Sequence, residues 1–266
     1  MTVTRIEKSN PLYARHNTLT LTLHSDNLQR RQDVTVYNAY SSAKNLPIVV
    51  LLHGVYGNNW VWMDLGGAHV VYEQLRQQGL SEFILVMPSD GGLWEGSAYL
   101  PLQQGNFEQW IVDDVLSAVI QTVDAASGSS RLYISGLSMG GYGALRLGAK
   151  YAQKFSGISA HSAITQLTDM SLFTDKAISE YHTLDAHEAD IMYWCQKHSN
   201  KLPPLRLDCG KQDSLLSSNQ TLVKALLAAN IPHHYEELEG GHEWPYWHRN
   251  LSKTLVFFNE LEQNHQ

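Results

Sequence analysis

The strongest constraint on this chain is a repeating alternation of strand and helix signals. Thr18 to Leu23 and Val34 to Tyr40 are rich in β-branched and aromatic residues and read as two early strands, paired antiparallel. Ile48 to Leu52 is a continuous apolar run after Pro47, as expected of a strand buried on both faces. A helix over Val70 to Leu75 ends near Gly79, and a second buried strand, Phe83 to Met87, stops at Pro88. Phe107 to Val123 has helical apolar spacing through Trp110, Ile111, Val115, Ala118, Val119 and Val123. A short strand at Leu132 to Ile134, a small-residue helix at Gly141 to Lys150 and a strand at Phe155 to Ala160 follow. After an interruption the rhythm resumes: strand Leu205 to Cys209, helix Leu216 to Ala229, strand His234 to Leu238, and a last helix from Tyr246 to Glu262. Such alternation predicts an α/β fold, with a mostly parallel central sheet and helices on both faces.

The interruption, Thr165 to Asn200, is polar and rich in His and Asp. It predicts a small cap insertion at about 165–200, with two short helices. With no repeat, low-complexity tract or linker, residues 1–266 read as a single domain. Hydrophobic residues make up 43% of the 266 and charged residues 17%, a globular balance. Mass scaling predicts burial of roughly 70–75% of the unfolded chain's surface.

Charge excludes further classes. With 19 Lys and Arg against 26 Asp and Glu, the chain carries −7 and has no basic cluster beyond Arg30 and Arg31, so no nucleic-acid partner is expected. No apolar run approaches the roughly 18 residues that would span a membrane. Met1 to Asn10 lack the apolar stretch of a secretory signal. Cys195 and Cys209 read as buried free thiols in a reducing compartment, so a cytoplasmic location is expected. The 13 His raise the question of metal, but their spacing argues against it. His242 and Glu243 do not complete H-E-x-x-H, since the next His is His248. His182 and His187 are five apart, and no Cys pair has zinc-site spacing. No metal and no cofactor are expected.

The chemistry concentrates at three strand ends. Ser138 lies in Gly136-Leu137-Ser138-Met139-Gly140, directly after one strand and before a helix. The glycines let the chain turn sharply and lift the hydroxyl above the carboxyl end of the sheet, where ligands sit in open α/β sheets. A serine hydroxyl needs a base, and the order Ser, acid, His fits a strand–turn–helix nucleophile. His242 follows the strand His234 to Leu238 across Gly240-Gly241. His233, His234 and His248 are worse placed. Asp213 follows the strand Leu205 to Cys209 and is favoured over Asp208, which lies inside it. Its role would be to fix the His242 tautomer. An oxyanion needs two backbone N–H groups. Met139 is one candidate; Val55, in His53-Gly54-Val55-Tyr56-Gly57-Asn58, is the other, with Tyr56 as runner-up. His53 reads as a loop-fixing residue.

Aromatic residues gather near the same end. Trp60 and Trp62 follow the His53 loop, Trp94 follows a strand, Trp194 lies in the insertion and Trp244 follows His242. Tyr56, Trp60, Trp94, Trp194 and Trp244 are the expected substrate-binding residues, lining a site for an acyl chain or a sugar face. Trp110 reads as core.

Leu52-His53-Gly54, Gly136-Leu137-Ser138-Met139-Gly140-Gly141-Tyr142-Gly143-Ala144, Cys209-Gly210-Lys211-Gln212-Asp213 and Gly240-Gly241-His242-Glu243-Trp244 resemble the esterase D-like "putative esterase" branch of the α/β-hydrolases. Within it the likeness is to tributyrin-esterase-type carboxylesterases, over about Pro47 to Val256. The resemblance implies a Ser138, Asp213, His242 triad with Val55 and Met139 as oxyanion donors. It implies a serine carboxylesterase that hydrolyses small acyl esters through an acyl-enzyme. The alternatives are a carbohydrate-ester deacetylase or feruloyl-type esterase, an S-formylglutathione hydrolase-like thioesterase, and a non-catalytic binding protein on the same fold. Formylglutathione hydrolases usually carry Ser-Gly-Leu-Thr-Cys where this chain has His53-Gly54-Val55-Tyr56-Gly57, and a His where it has Tyr142. The expected partner is a small-molecule ester, and the sequence leaves room for a homo-oligomer.

Overall fold

A computed structural model describes residues 2–264. The strands are β1 Val3–Lys8, β2 Thr18–Ser25, β3 Arg30–Tyr37, β4 Ile48–Leu52, β5 Ile84–Pro88, the two-residue pair β6 Pro101–Leu102 and β7 Gly105–Asn106, β8 Leu132–Leu137, β9 Phe155–His161, β10 Leu205–Gly210 and β11 His234–Leu238. The helices are α1 Val61–Asp64, α2 Ala68–Gln77, α3 Phe107–Gln109, α4 Leu116–Thr122, α5 Met139–Lys150, α6 Ile191–Lys197, α7 Leu216–Ala228 and α8 Trp244–Gln263.

Nine strands form one sheet in the order β1-β2-β3-β5-β4-β8-β9-β10-β11. The first four neighbours pair antiparallel, and from β5 onward every pairing is parallel. Alternate side chains of β4 serve opposite faces. Ile48, Val50 and Leu52 join a core with Trp110, α4, α5, α6 and α7, whereas Val49 and Leu51 join a second core with α1, α2 and α8. This two-faced burial explains the unbroken apolar runs of the parallel strands. The chain reverses direction at β4, which lies between β5 and β8, so the ends of β4 and β8 open side by side at a topological switch point.

Differences from the expected elements have local causes. The strand expected to reach Tyr40 ends at Tyr37 because Asn38 adopts φ 58°, where a strand cannot continue. Strand β1 has no apolar alternation to announce it; it is an edge strand held by β2. The helix expected over Phe107 to Val123 is interrupted by a π-helical turn at Trp110–Val115, where the Trp110 indole donates to the Ser89 carbonyl at 2.8 Å. The polar stretch after β9 forms three 3-10 turns, Leu167–Leu172, Ile178–Tyr181 and Ser199–Lys201, as well as α6. Among the described residues no helix is long and apolar enough to cross a membrane.

That stretch is fastened to α5 by buried charge. The fully buried Arg146 guanidinium donates to Glu108 at 2.6 Å, Glu188 at 2.7 Å and the Tyr99 carbonyl at 2.6 Å. The Lys150 ammonium reaches the same two carboxylates at 2.7 and 2.6 Å. Tyr142 donates to the Ala189 carbonyl at 2.7 Å. Removing one member of a buried ionic cluster leaves its partners desolvated and unpaired. Arg146→Met is therefore expected to lower the unfolding free energy by about 3 kcal/mol in urea denaturation.

Candidate active site

The turn between β8 and α5 is the sharpest constraint at the site. Ser138 has φ 53° and ψ −120°, a conformation L-residues rarely hold. The turn is pinned on both sides: the Ser138 amide donates to the His161 carbonyl at 3.0 Å, and its carbonyl accepts from Ile164 at 3.1 Å and Tyr142 at 3.1 Å. Side chains are excluded around it. A Cβ on Gly136 would run into the Gly140 carbonyl, and one on Gly140 would run into the Leu52 carbonyl at the end of β4. The two glycines thus let β8, α5 and β4 close up beneath the serine.

Three strand ends bring three side chains into one chain of hydrogen bonds. His242 Nε2 lies 2.9 Å from Ser138 Oγ, and His242 Nδ1 lies 3.0 and 3.1 Å from the two Asp213 carboxylate oxygens. Asp213 follows the end of β10 by three residues, and its Oδ1 also accepts from the Leu215 amide at 2.8 Å. Burial alone would raise the Asp213 carboxyl. The hydrogen bond and charge of His242, with the Leu215 amide, outweigh it and hold the group below the usual carboxylate range. Ser138 and Asp213 are buried, and the His242 side chain retains 18% exposure.

Asp208 belongs to a different assembly. It is fully buried within β10 and accepts from Arg206 at 2.6 Å and Tyr246 at 2.7 Å. His161 Nδ1 sits 2.8 Å from it, off the hydrogen-bond direction. Burial opposes ionisation here too, but His161, Arg206 and Tyr246 hold the carboxyl below its ordinary range. Tyr246 lies in the first turn of α8, so Asp208 steadies the helix that begins two residues after His242.

The loop after β4 runs beside Ser138. A Cβ on Gly54 would lie 3.2 Å from Ser138 Cβ and 3.6 Å from its Oγ. The Tyr56 amide is engaged, donating to the Glu95 carbonyl at 2.7 Å, which removes Tyr56 as an oxyanion donor. Among the described residues the Val55 amide has no acceptor. Met139 opens α5, where the first amides of a helix lack intrahelical acceptors. His53 fixes this loop. Its Nδ1 lies 2.7 Å from the Gly54 carbonyl, and its Nε2 accepts from the Asp90 amide at 3.0 Å. Burial lowers its affinity for a proton, only partly offset by Asp90.

The expected aromatic ring around the site is broken up. Tyr56 and Trp60 are exposed, at 70% and 46%. Trp94 lies edge-on to Tyr181 at 5.5 Å, under the Lys176 ammonium. Trp62 is buried, its indole donating to the Leu52 carbonyl at 3.0 Å. Trp244 packs edge-on against Trp62 and Trp247. Trp194 is buried; it donates to the Glu188 carbonyl at 3.1 Å and carries the Lys150 and Lys197 ammoniums over its ring, none of which touches the triad. The aromatics that do touch His242 are Phe173, stacked at 4.7 Å, and Trp247, edge-on at 5.0 Å. Trp247 has a sequence signal, a position five residues beyond His242 at the start of a helix. Phe173 has none, because it reaches the site only through the path of the polar insertion.

Comparison with known proteins agrees with this architecture. Residues 25–258 match the sequence pattern of the family described as putative esterase. An acetyl esterase of Caldicellulosiruptor saccharolyticus is 28% identical over 237 residues, covering 82% of this chain and 85% of that protein. Among solved structures, a ferulic acid esterase superposes with a TM-score of 0.79 at 26% identity, covering 92% of this chain and 98% of that one. The substrate-bound fluorophosphonate-binding serine hydrolase F of Staphylococcus aureus superposes with a TM-score of 0.78 at 22% identity, covering 91% and 98%. With the family pattern spanning most of its length, this chain belongs to the putative esterase family and has the α/β-hydrolase fold.

Proposed function

We propose that this carboxylic ester hydrolase works as a serine esterase, cleaving small acyl esters through an acyl-enzyme. The observation that carries the reading is the unbroken line from Ser138 Oγ through His242 to the Asp213 carboxylate. In it, His242 Nε2 takes the Ser138 proton as Oγ attacks the ester carbonyl. The Met139 and Val55 amides hold the oxyanion, and His242 returns the proton to the departing alcohol oxygen. Water then repeats the sequence on the acyl-enzyme. Asp213 keeps Nδ1 protonated and stabilises the imidazolium, a role its lowered pKa favours because it stays ionised. The names of the acetyl esterase and ferulic acid esterase relatives support ester cleavage as the reaction class. We also place the reaction in the cytoplasm. Among the described residues both cysteines are unpaired and buried, and burial pushes the Cys195 thiol up to about 12, leaving it inert.

Fluorophosphonate labelling and p-nitrophenyl acetate turnover test the assignment. Ser138→Ala is expected to abolish labelling, and Ser138→Ala or His242→Ala to lower kcat by about 10⁴–10⁶. Labelling that survives in Ser138→Ala would sink the nucleophile.

The two aspartates separate in a second experiment. Asp213→Asn is expected to lower kcat by about 10⁴, since it favours the wrong His242 tautomer. Asp208→Asn is expected to act on stability instead. An unfolded aspartate titrates near about 3.9, and the folded Asp208 titrates lower, so its contribution is complete above that pH and fades as pH falls through the folded value. In urea melts the stability deficit of Asp208→Asn should therefore be largest near neutral pH and shrink below about pH 4.

A further inference from the structure

Contacts around Ser138 close into a ring that the catalytic steps do not require. Gly54 lies against the nucleophile, where an added Cβ would stand 3.6 Å from Ser138 Oγ. Two residues on, Tyr56 adopts φ 60° while the residue stays 70% exposed. An exposed aromatic in a left-handed conformation is not explained by core packing. Its hydroxyl donates to the Phe173 carbonyl at 2.9 Å, and the Phe173 ring stacks on His242 with planes 25° apart. His242 then returns to Ser138 Oγ at 2.9 Å. The segment beyond Phe173 is anchored as well. Thr174 Oγ1 donates to Glu95 Oε2 at 2.9 Å, and Tyr181 donates to the Gly96 carbonyl at 3.0 Å.

We infer that Tyr56 and Phe173 form a strap on the leaving-group side of Ser138 and His242 and determine which alcohols the enzyme releases. This rests on the serine-esterase reading above. The departing alcohol oxygen must take its proton from His242 Nε2, so the alcohol lies against the His242 ring. Phe173 covers one face of that ring, and the Tyr56 hydroxyl holds Phe173 in place. Short primary alcohols and flat phenols pass along the two aromatic faces. Alcohols branched or substituted beside the ester oxygen meet the strap. The acyl group, on the other side of the carbonyl, does not.

The test compares kcat/KM for phenyl acetate, 2,6-dimethylphenyl acetate and phenyl butyrate in the wild type, Tyr56→Phe and Phe173→Leu. Ratios to wild type cancel the intrinsic reactivity of each ester. The phenyl to dimethylphenyl preference is expected to fall about tenfold in both variants, the scale of a steric contact in an apolar pocket, with the acetate to butyrate preference unchanged. Tyr56→Phe removes a single exposed hydroxyl, so it keeps the test open should Phe173→Leu fold poorly. An unaltered alcohol preference in folded Tyr56→Phe, or an acyl preference that moves as far as the alcohol preference, would overturn the strap. Ser138→Ala is run beside them. Turnover that persists in it overturns the serine-esterase reading itself, whatever the ratios show.

Discussion

The whole site depends on how closely three backbones approach beneath Ser138. The end of β4, the end of β8 and the start of α5 meet where Gly136 and Gly140 have no side chains, and contact there is backbone to backbone. That approach allows Ser138 to sit at φ 53° without the turn relaxing. The cost of a rare conformation, of order 1–3 kcal/mol, is met by the surrounding hydrogen bonds to His161, Ile164 and Tyr142. It also sets Gly54 beside the serine hydroxyl. The position of Ser138 and the position of the loop after β4 are therefore one constraint.

Buried charge is divided between two tasks. The Arg146 and Asp208 clusters hold elements together: the first ties the segment between β9 and β10 to α5, the second ties β10 to the first turn of α8. Asp213 is different. Among the described residues it is paired with no arginine or lysine; its partners are His242, the Leu215 amide and the Ser162 hydroxyl. A guanidinium on Asp213 would compete for the carboxylate and weaken its hold on the imidazolium. The strong cation sits on Asp208 instead, five residues away in sequence and in another assembly.

What the sequence makes legible follows from locality. The parallel strands announce themselves because burial on both faces demands unbroken apolar runs, and the turn between β8 and α5 is visible because its glycines are required within a few residues of Ser138. Asp213 and His242 are readable because strand ends converge in a parallel sheet. The aromatic residues are not readable in this way. Indole and phenyl rings serve core packing and ligand contact equally well, and only the tertiary path separates Trp194, which bears on Lys150, from Phe173, which bears on His242. Histidine content is similar. His53, His198, His233 and His248 each bond a backbone carbonyl through Nδ1, fixing loops and helix ends, a role the residue count does not reveal.

The segment between β9 and β10 is consequently more than a decoration on the sheet. One part of it is clamped to the helix that starts after Ser138, through Glu188 and Ala189 on Arg146 and Tyr142. Another part reaches the loop after β4 and the His242 imidazole, through Phe173 on Tyr56 and His242. A rigid hold at the first point limits how far the second can swing away, because fewer than twenty residues separate them in sequence and the segment between is pinned at Thr174 and Tyr181. Irregular backbone is normally the mobile part of a fold, yet here buried ion pairs and side-chain to backbone hydrogen bonds give it the order a site wall requires. The same economy explains its polar sequence: its contacts are made by carboxylates, hydroxyls and carbonyls, so it lacks the apolar periodicity that would have declared it a structural element.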